Sequence, residues 1–465
     1  MGATFRNNSQ INLTIQTDDA INDLTISLPS AFASAQNIYW VKITDDKYLI
    51  SADMARAGLW LYKNSTNEIM QISDYGYGWR YFQQVANDWL ISGDGYDSNF
   101  GILLYDSTTD NVSKIYDSGY AWKYFQQIGE NYLISNTYVN AQRRCGVLLY
   151  NSRSKTVTQL FSDGYAWKHF QQIGNDCLIS SDDFNSTSRG VLLYDSTQNT
   201  VTRIYSESYN WAYTFEFTEG KCLLSSGNNN TGILLYNDIE KSITQIYEIG
   251  GSWRFFQIVD NKCIITGSNT NSGVLIYDNS TQSINQVYEK GSWWSILQLV
   301  DQDKCLICSS TSSNYGILLY DSSINAVTQL YTRGFNWRNF KQVGNNWLIS
   351  DDIDVGYYYG ILLYNNDSKT ITQIYNRQDN WCYFQQIGED CLIGGKNLSQ
   401  GLILYDGSVQ TASLIYSGGS WYDTFTQVNN NYYIESSVKA ENGRKLYYDT
   451  TTKTVKLVDY TIVEN

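Results

Sequence analysis

The chain is one phrase written ten times. Gly101-Ile-Leu-Leu-Tyr-Asp recurs with small changes along 465 residues, its glycine standing at Gly58, Gly101, Gly146, Gly190, Gly232, Gly273, Gly316, Gly360, Gly401 and Gly443. Successive glycines lie 41 to 45 residues apart, and no linker separates the units. A period of that length describes a supersecondary unit that cannot bury its apolar faces alone, so neighbours must stack. A tryptophan marks nine of the ten units, at Trp79, Trp122, Trp167, Trp211, Trp253, Trp293, Trp337, Trp381 and Trp421. The first unit lacks it, because Trp40 falls out of register.

Within one unit the sequence predicts four short strands. In the third unit these are residues 122–128, 132–135, 146–150 and 156–161, with tight turns after the first and third and a longer polar loop after the second. Short runs of Val, Ile, Tyr, Phe and Trp bounded by Gly, Asn, Asp and Ser are strand signals. The expected fold is all-β, ten four-stranded antiparallel sheets in a row.

The third strand, Gly-x-x-x-Tyr-Asp, ends in Tyr105-Asp106, Tyr194-Asp195, Tyr277-Asp278, Tyr320-Asp321 and Tyr405-Asp406. It resembles the Gly-x-x-x-Leu-Trp-Asp strand of the WD40-type β-propeller blade, over roughly residues 37–460. The Gly-His dipeptide of that family is absent, and one histidine, His169, cannot supply its histidine hydrogen-bond network. The resemblance therefore implies blade architecture and no partner or activity. Ten blades exceed the four to eight of most propellers. Two stacked five-bladed rings are the alternative, but the even spacing leaves no linker near residues 250 or 290 and favours one ring over residues 37–465. Residues 1–36 lie outside the repeat. There, 11–17 and 23–28 read as two strands, the second ended by the only proline, Pro29. Such an arm either closes the ring by pairing with the last blade or docks the chain to a larger assembly.

Composition narrows the chemistry. Thirty-two Lys and Arg against 46 Asp and Glu, a formal charge of −14, make nucleic acid a poor partner. A single histidine leaves no imidazole-based metal site or acid–base pair, and no metal or other cofactor is expected. No apolar run reaches the length of a membrane span, and the first ten residues lack the basic and apolar segments of a secretory signal. A soluble product made in the cytoplasm, without membrane insertion, is expected. Five of the eight cysteines, Cys177, Cys222, Cys263, Cys305 and Cys391, fill a second-strand position held elsewhere by Trp89, Tyr132, Trp347 or Tyr432. A position shared by Cys, Tyr and Trp is a buried apolar slot, so free thiols are expected rather than disulfides. Cys305 and Cys308 should point to opposite faces of their strand.

If the tryptophan-bearing strand is innermost, the long second-to-third-strand loops and the inter-blade loops share one face, and the short hairpins share the other. The variable face is the candidate binding face. Its inter-blade loops carry aromatic residues at Tyr77, Tyr120, Tyr165, Tyr209 and Phe335. A basic residue follows the tryptophan at Arg80, Lys123, Lys168, Arg254 and Arg338, a partial cationic ring in an acidic chain. These ten are the candidate ligand-binding residues. Aromatic faces beside Asn, Asp and Ser suit sugar rings, and a basic rim suits anionic glycans. Packing between blades explains the tryptophans themselves. Gln84, Gln127, Gln172, Gln298, Gln342 and Gln386 read as polar lining or inter-blade hydrogen bonds. Broken symmetry appears at Glu216, Glu435, Asp351, Asp352 and Asp354, but neither a carboxylate pair nor a calcium loop is assembled, so no catalytic residue is expected. The expected function is a non-enzymatic binding or structural module, a phage or phage-like particle appendage recognising host-surface carbohydrate or a particle protein. As part of such an assembly it would also suit a homo-oligomer. The alternatives are a cytosolic protein-interaction scaffold and a carbohydrate-active enzyme.

Overall fold

The computed structural model describes residues 11–15, 24–53, 58–74, 76, 78–93, 101–119, 121–136, 146–164, 166–181, 190–206, 211, 213–218, 220–226, 232–269, 272–289, 293–310, 315–351, 360–376, 380–396, 401–418, 422–436 and 444–459. Among them stand ten four-stranded antiparallel sheets in chain order, one two-stranded sheet and no α-helix. This is the β-propeller blade, ten times over. The chain divides into two compact units, residues 1–224 with 234–244, and residues 225–233 with 245–465.

Blade three shows why the repeat folds this way. Its strands are Trp122–Ile128, Asn131–Asn136, Val147–Asn151 and Thr156–Phe161, paired in sequence order. The two central strands are apolar almost throughout, because both of their faces are covered. Leu133, Val147 and Leu149 pack on Trp167, Cys177 and Leu192 of blade four. Ile134, Leu148 and Tyr150 pack on Val85, Leu90 and Leu104 of blade two. The edge strands alternate, and the fourth presents Thr156, Thr158 and Gln159 to solvent.

The signature glycine starts the third strand for a steric reason. Gly146 has φ +70°, and a Cβ there would lie 1.7 Å from the carbonyl oxygen of Phe161. Only glycine tolerates both conditions.

The tryptophans are buried keystones between blades. Trp122 sits edge-on to Tyr116, the last residue of the preceding blade's fourth strand, with centroids 5.7 Å apart, and its Nε1 donates to the Ser118 carbonyl at 3.2 Å. Edge-to-face pairs contribute about 0.5–1.5 kcal/mol beyond area burial. Ser135 and Ser180 each donate a hydroxyl hydrogen bond to the carbonyl of the next blade's tryptophan, Trp167 and Trp211. Two expected keystones are displaced by one residue. In blade seven Trp294 is fully buried against Tyr288, while Trp293 is 41% exposed. In blade ten the position belongs to Tyr422, whose ring meets Tyr416 at 6.1 Å and whose hydroxyl donates to the Gly418 carbonyl at 3.0 Å. Trp421 and Gly443 lie outside the described residues.

The N-terminal segment pairs with itself. Ile11–Ile15 runs antiparallel to Leu24–Leu28, and Leu13, Ile26, Leu28 and Phe32 cover Tyr48, Ile50, Ala52 and Tyr62 of blade one. The opposite face of blade one, Leu49, Leu59 and Leu61, packs on blade two. In the other unit, blade ten packs Tyr432, Ile434, Leu446 and Tyr448 on blade nine. Its reverse face carries Tyr433 edge-on to Tyr447, Lys456 over the Tyr447 ring, and a Lys445–Glu435 ion pair. That face is polar where Leu133 and Val147 are apolar.

The cysteine slot is apolar as expected. Cys177, Cys222, Cys263, Cys305 and Cys391 are buried and free, and Cys177 and Cys263 sit directly across from Tyr194 and Tyr277. Burial pushes the Cys177, Cys222 and Cys391 thiols up to about 12, which leaves them unreactive at neutral pH. Cys305 and Cys308 belong to the packing on opposite faces of one strand. Cys145 lies outside the described residues.

At the hairpin ends, three positions per joint decide how adjacent blades are tied. Lys155, in the left-handed turn of blade three, reaches back to Asp88 at 2.6 Å and Asp106 at 3.1 Å in blade two. Lys241 binds Asp176 and Asp195 in the same way, and Lys453 binds Asp390 and Asp406. Between blades one and two the charges are exchanged, Lys47 and Lys63 both meeting Asp110. Burial works to raise the Asp110 carboxyl, but hydrogen bonds from Lys47, Lys63 and Tyr105 outweigh it and hold it at about 2. Lys453 and Ser408 likewise hold Asp406 at about 2. Unfolded aspartate titrates near 3.9, so both contribute stability above that value and lose it as the pH falls to about 2. The urea midpoint should therefore decline between about pH 5 and pH 2. Lys453→Gln should lower the neutral-pH stability by about 0.2–1 kcal/mol, the range of exposed pairs, and flatten the acid decline. An unaltered decline in the variant would exclude this ion pair as its source.

Candidate functional site

A β-bulge places the basic residues. Pairing between the first and second strands skips from Trp79 to Tyr81 in blade two, from Trp122 to Tyr124 in blade three and from Trp167 to His169 in blade four. Arg80, Lys123 and Lys168 are the extra residues. A bulged residue has no ladder partner and its side chain is re-aimed. With the adjacent tryptophan locked in the core, the cation is thrown outward. Arg80 and Lys123 are exposed and Lys168 is half-buried. In the second unit Arg254 and Arg338 occupy the same bulge, half-buried and exposed respectively.

In the first unit the cations interleave with tyrosines. The Arg80 guanidinium lies 5.9 Å from the Tyr39 ring centroid and 5.0 Å from that of Tyr81, and its Nη2 donates to the Tyr81 hydroxyl at 2.8 Å. Lys123 Nζ lies 5.7 Å from both the Tyr81 and Tyr124 rings. The order Tyr39, Arg80, Tyr81, Lys123, Tyr124 thus runs across the first strands of blades one, two and three. Each cation–π contact contributes about 0.5–1 kcal/mol at an exposed site. The row presents exposed cations beside phenolic hydroxyls.

Beneath the row, a glutamine side chain caps one carbonyl on the first strand of blades two, three and four. The Nε2 groups of Gln83, Gln126 and Gln171 donate to the carbonyls of Gln84, Gln127 and Gln172 at 2.9–3.1 Å. The next glutamine in each strand, Gln84, Gln127, Gln172, Gln342 or Gln386, donates two residues ahead and closes its own hairpin. Gln298 belongs to the first of these sets, donating to Leu299. Gln171 also accepts an inter-blade bond, from the Thr214 hydroxyl to its side-chain oxygen at 3.3 Å.

Of the expected loop aromatics, Phe335 is half-buried, and Tyr77, Tyr120, Tyr165 and Tyr209 lie outside the described residues. Tyr39, Tyr81 and Tyr124, the rings that meet the cations, were not among the expected residues. The tyrosine directly after Arg80 and after Lys123 was the available signal for two of them. Glu216 is exposed on the first strand of blade five, Glu435 is engaged by Lys445, and Asp351 is a buried strand end rather than a loop residue. Asp352 and Asp354 lie outside the described residues. Among the described residues no three His, Cys, Asp or Glu side chains group as metal ligands, and no helix is long and apolar enough to cross a membrane.

No protein-family model matches the sequence, and no curated protein matches it. Among solved structures, the chain is similar to the extracellular domain of a one-component system from B. thetaiotaomicron, at 11% identity and a TM-score of 0.27, over 93% of this chain and 72% of that one. It is similar to the tricorn protease at 12% identity and a TM-score of 0.27, over 98% of this chain and 58% of the other. The dihydro-heme d1 dehydrogenase NirN matches at 10% identity and a TM-score of 0.33, over 75% of this chain and 76% of that one. At such scores these likenesses carry no argument, and the fold rests on the ten sheets themselves.

Proposed function

We propose that this chain is a non-enzymatic binding module, and that the row from Tyr39 to Tyr124 takes an anionic glycan. The observation that carries the reading is the interleaving of Arg80 and Lys123 with three tyrosines on adjacent first strands. Repeated cations at the spacing of neighbouring blades suit a polymer that repeats its own charges. Adjacent rings and hydroxyls suit the sugar between those charges. In the wider setting, the module is an appendage of a phage or phage-like particle, and the glycan belongs to the host surface. The repeated Tyr, Asn and Ser of the exposed strands and turns support that setting.

Heparin, a sulfated polysaccharide, is the probe. The full chain should bind it at low salt and lose affinity steeply as salt rises, because exposed charges are screened. Arg80→Ala with Lys123→Ala should weaken binding at least tenfold with an unchanged urea midpoint. Neutral dextran should bind neither protein at this row. Equal heparin affinity in the parent and the double variant would sink the reading. Glycan turnover abolished by Glu216→Gln or Glu435→Gln would replace it with an enzyme.

A further inference from the structure

The joint between blades three and four departs from its neighbours at all three tying positions. Where the joints on either side carry two aspartates and a lysine, this one carries Asn131, Asn151 and Asn199. The turn-closing half of each aspartate is preserved. Asn131 Oδ1 accepts from the Ser152 amide at 3.3 Å, as Asp88 accepts from that of Ser107, and Asn151 Oδ1 accepts from the amides of Arg153 and Ser154. Asn199 Oδ1 accepts from the Tyr194 hydroxyl at 2.9 Å. What the asparagines change is the other side-chain atom. Two carboxylate oxygens and an ammonium become three amide NH2 groups, and none of these makes a hydrogen bond among the described residues.

The exchange also opens space. Asparagine is two heavy atoms shorter in reach than the lysine that spans the neighbouring joints, and here a cleft of about 370 Å³ remains between the hairpins. The three asparagines line it with Glu130 and Arg153, which pair with each other at 2.9 Å. That volume is at the lower end of small-molecule sites, about 300–1,000 Å³. Net charge is absent from the lining, donors are in excess, and a carboxylate stands at the rim. Such a set matches a ligand of many hydroxyl oxygens and no charge.

We propose that this cleft binds a neutral saccharide unit of one or two rings. The amide NH2 groups donate to ring hydroxyl oxygens, and the Glu130 carboxylate accepts a hydrogen bond from a ring hydroxyl. The site lies at the hairpin ends of blades three and four, whereas the cationic row lies where first strands begin. The two sites thus differ in place and in ligand chemistry, and neither requires the other.

The test is titration of the full chain with the methyl glycosides of glucose, galactose and N-acetylglucosamine, followed by NMR and calorimetry. At least one should bind, with an affinity unmoved by 0.5 M added salt, as expected for an uncharged contact. The triple variant Asn131→Asp, Asn151→Asp, Asn199→Lys copies the tie of both flanking joints, so it should fold with an equal or higher urea midpoint and bind at least tenfold more weakly. Arg80→Ala with Lys123→Ala should leave glycoside binding intact, which separates this site from the heparin site. The inference is overturned if no glycoside binds the parent. It is equally overturned if the well-folded triple variant binds as the parent does, or if inorganic sulfate displaces the glycoside. Should the triple variant fail to fold, Asn199→Lys alone, which fills the cleft with one longer side chain, gives the same reading.

Discussion

Gly146→Ala is expected to cost more than about 4 kcal/mol, beyond the range of ordinary substitutions. Two penalties combine. The residue holds φ +70°, where an L-residue loses roughly 1–2 kcal/mol, and its new methyl group would stand 1.7 Å from the Phe161 carbonyl oxygen. That oxygen is backbone, so relief requires the fourth strand to move away from the third, and Phe161 carries the ring on which Trp167 of the next blade rests. The disturbance therefore reaches two blades. Gly129→Ala is the matched control. It has φ +58° and nothing within 4 Å of an added Cβ, so only the roughly 1–2 kcal/mol conformational penalty applies. Urea denaturation of the two variants checks the difference. Equal losses would show that the close approach, which recurs at Gly101, Gly232 and Gly316, is not what makes the glycine necessary.

Deleting residues 1–36 is expected to turn a well-behaved protein into a self-associating one. The hairpin is the cover of blade one, and without it Tyr48, Ile50, Ala52 and Tyr62 would join Trp40 and Trp60 in one exposed apolar sheet face. Exposed apolar patches of that kind drive association. Light scattering should rise with concentration in the truncated chain, and a hydrophobic dye should bind it where it ignores the parent. A truncated chain that scatters and melts like the parent would show that the hairpin contributes no cover.

Much of this could be read from the residues alone. The period, the four strands and the apolar cysteine slot follow from alternation and self-similarity, since each position faces the same surroundings in every blade. Two tryptophans were misplaced because two aromatic residues stand side by side, Trp293 with Trp294 and Trp421 with Tyr422, and either fits a loose period. The spacing to the partner ring decides between them. Tyr116 and Trp122, Tyr288 and Trp294, and Tyr416 and Tyr422 are each six residues apart and each edge-on. The cationic row was half visible. Arg80 and Lys123 stood out as charges beside tryptophan, but the rings that receive them come from neighbouring strands through a bulge, which composition does not reveal. The hairpin-end ties were hidden for another reason. Lys155 and Asp106 lie 49 residues apart and Lys241 and Asp195 lie 46 apart, in adjacent blades, and short turns of Asn, Asp and Lys look alike until the blades are stacked.

The bulge that follows the keystone in blades two, three, four, six, eight, nine and ten has an evolutionary consequence. Because the extra residue takes no part in the strand ladder and none in the core, its identity is decoupled from folding. The same structural place holds Arg80, Lys123, Arg338, Cys382 and Asp423. A chain built this way can exchange positive for negative, or charge for thiol, one blade at a time, with its scaffold undisturbed. Its surface is then a set of independently replaceable letters.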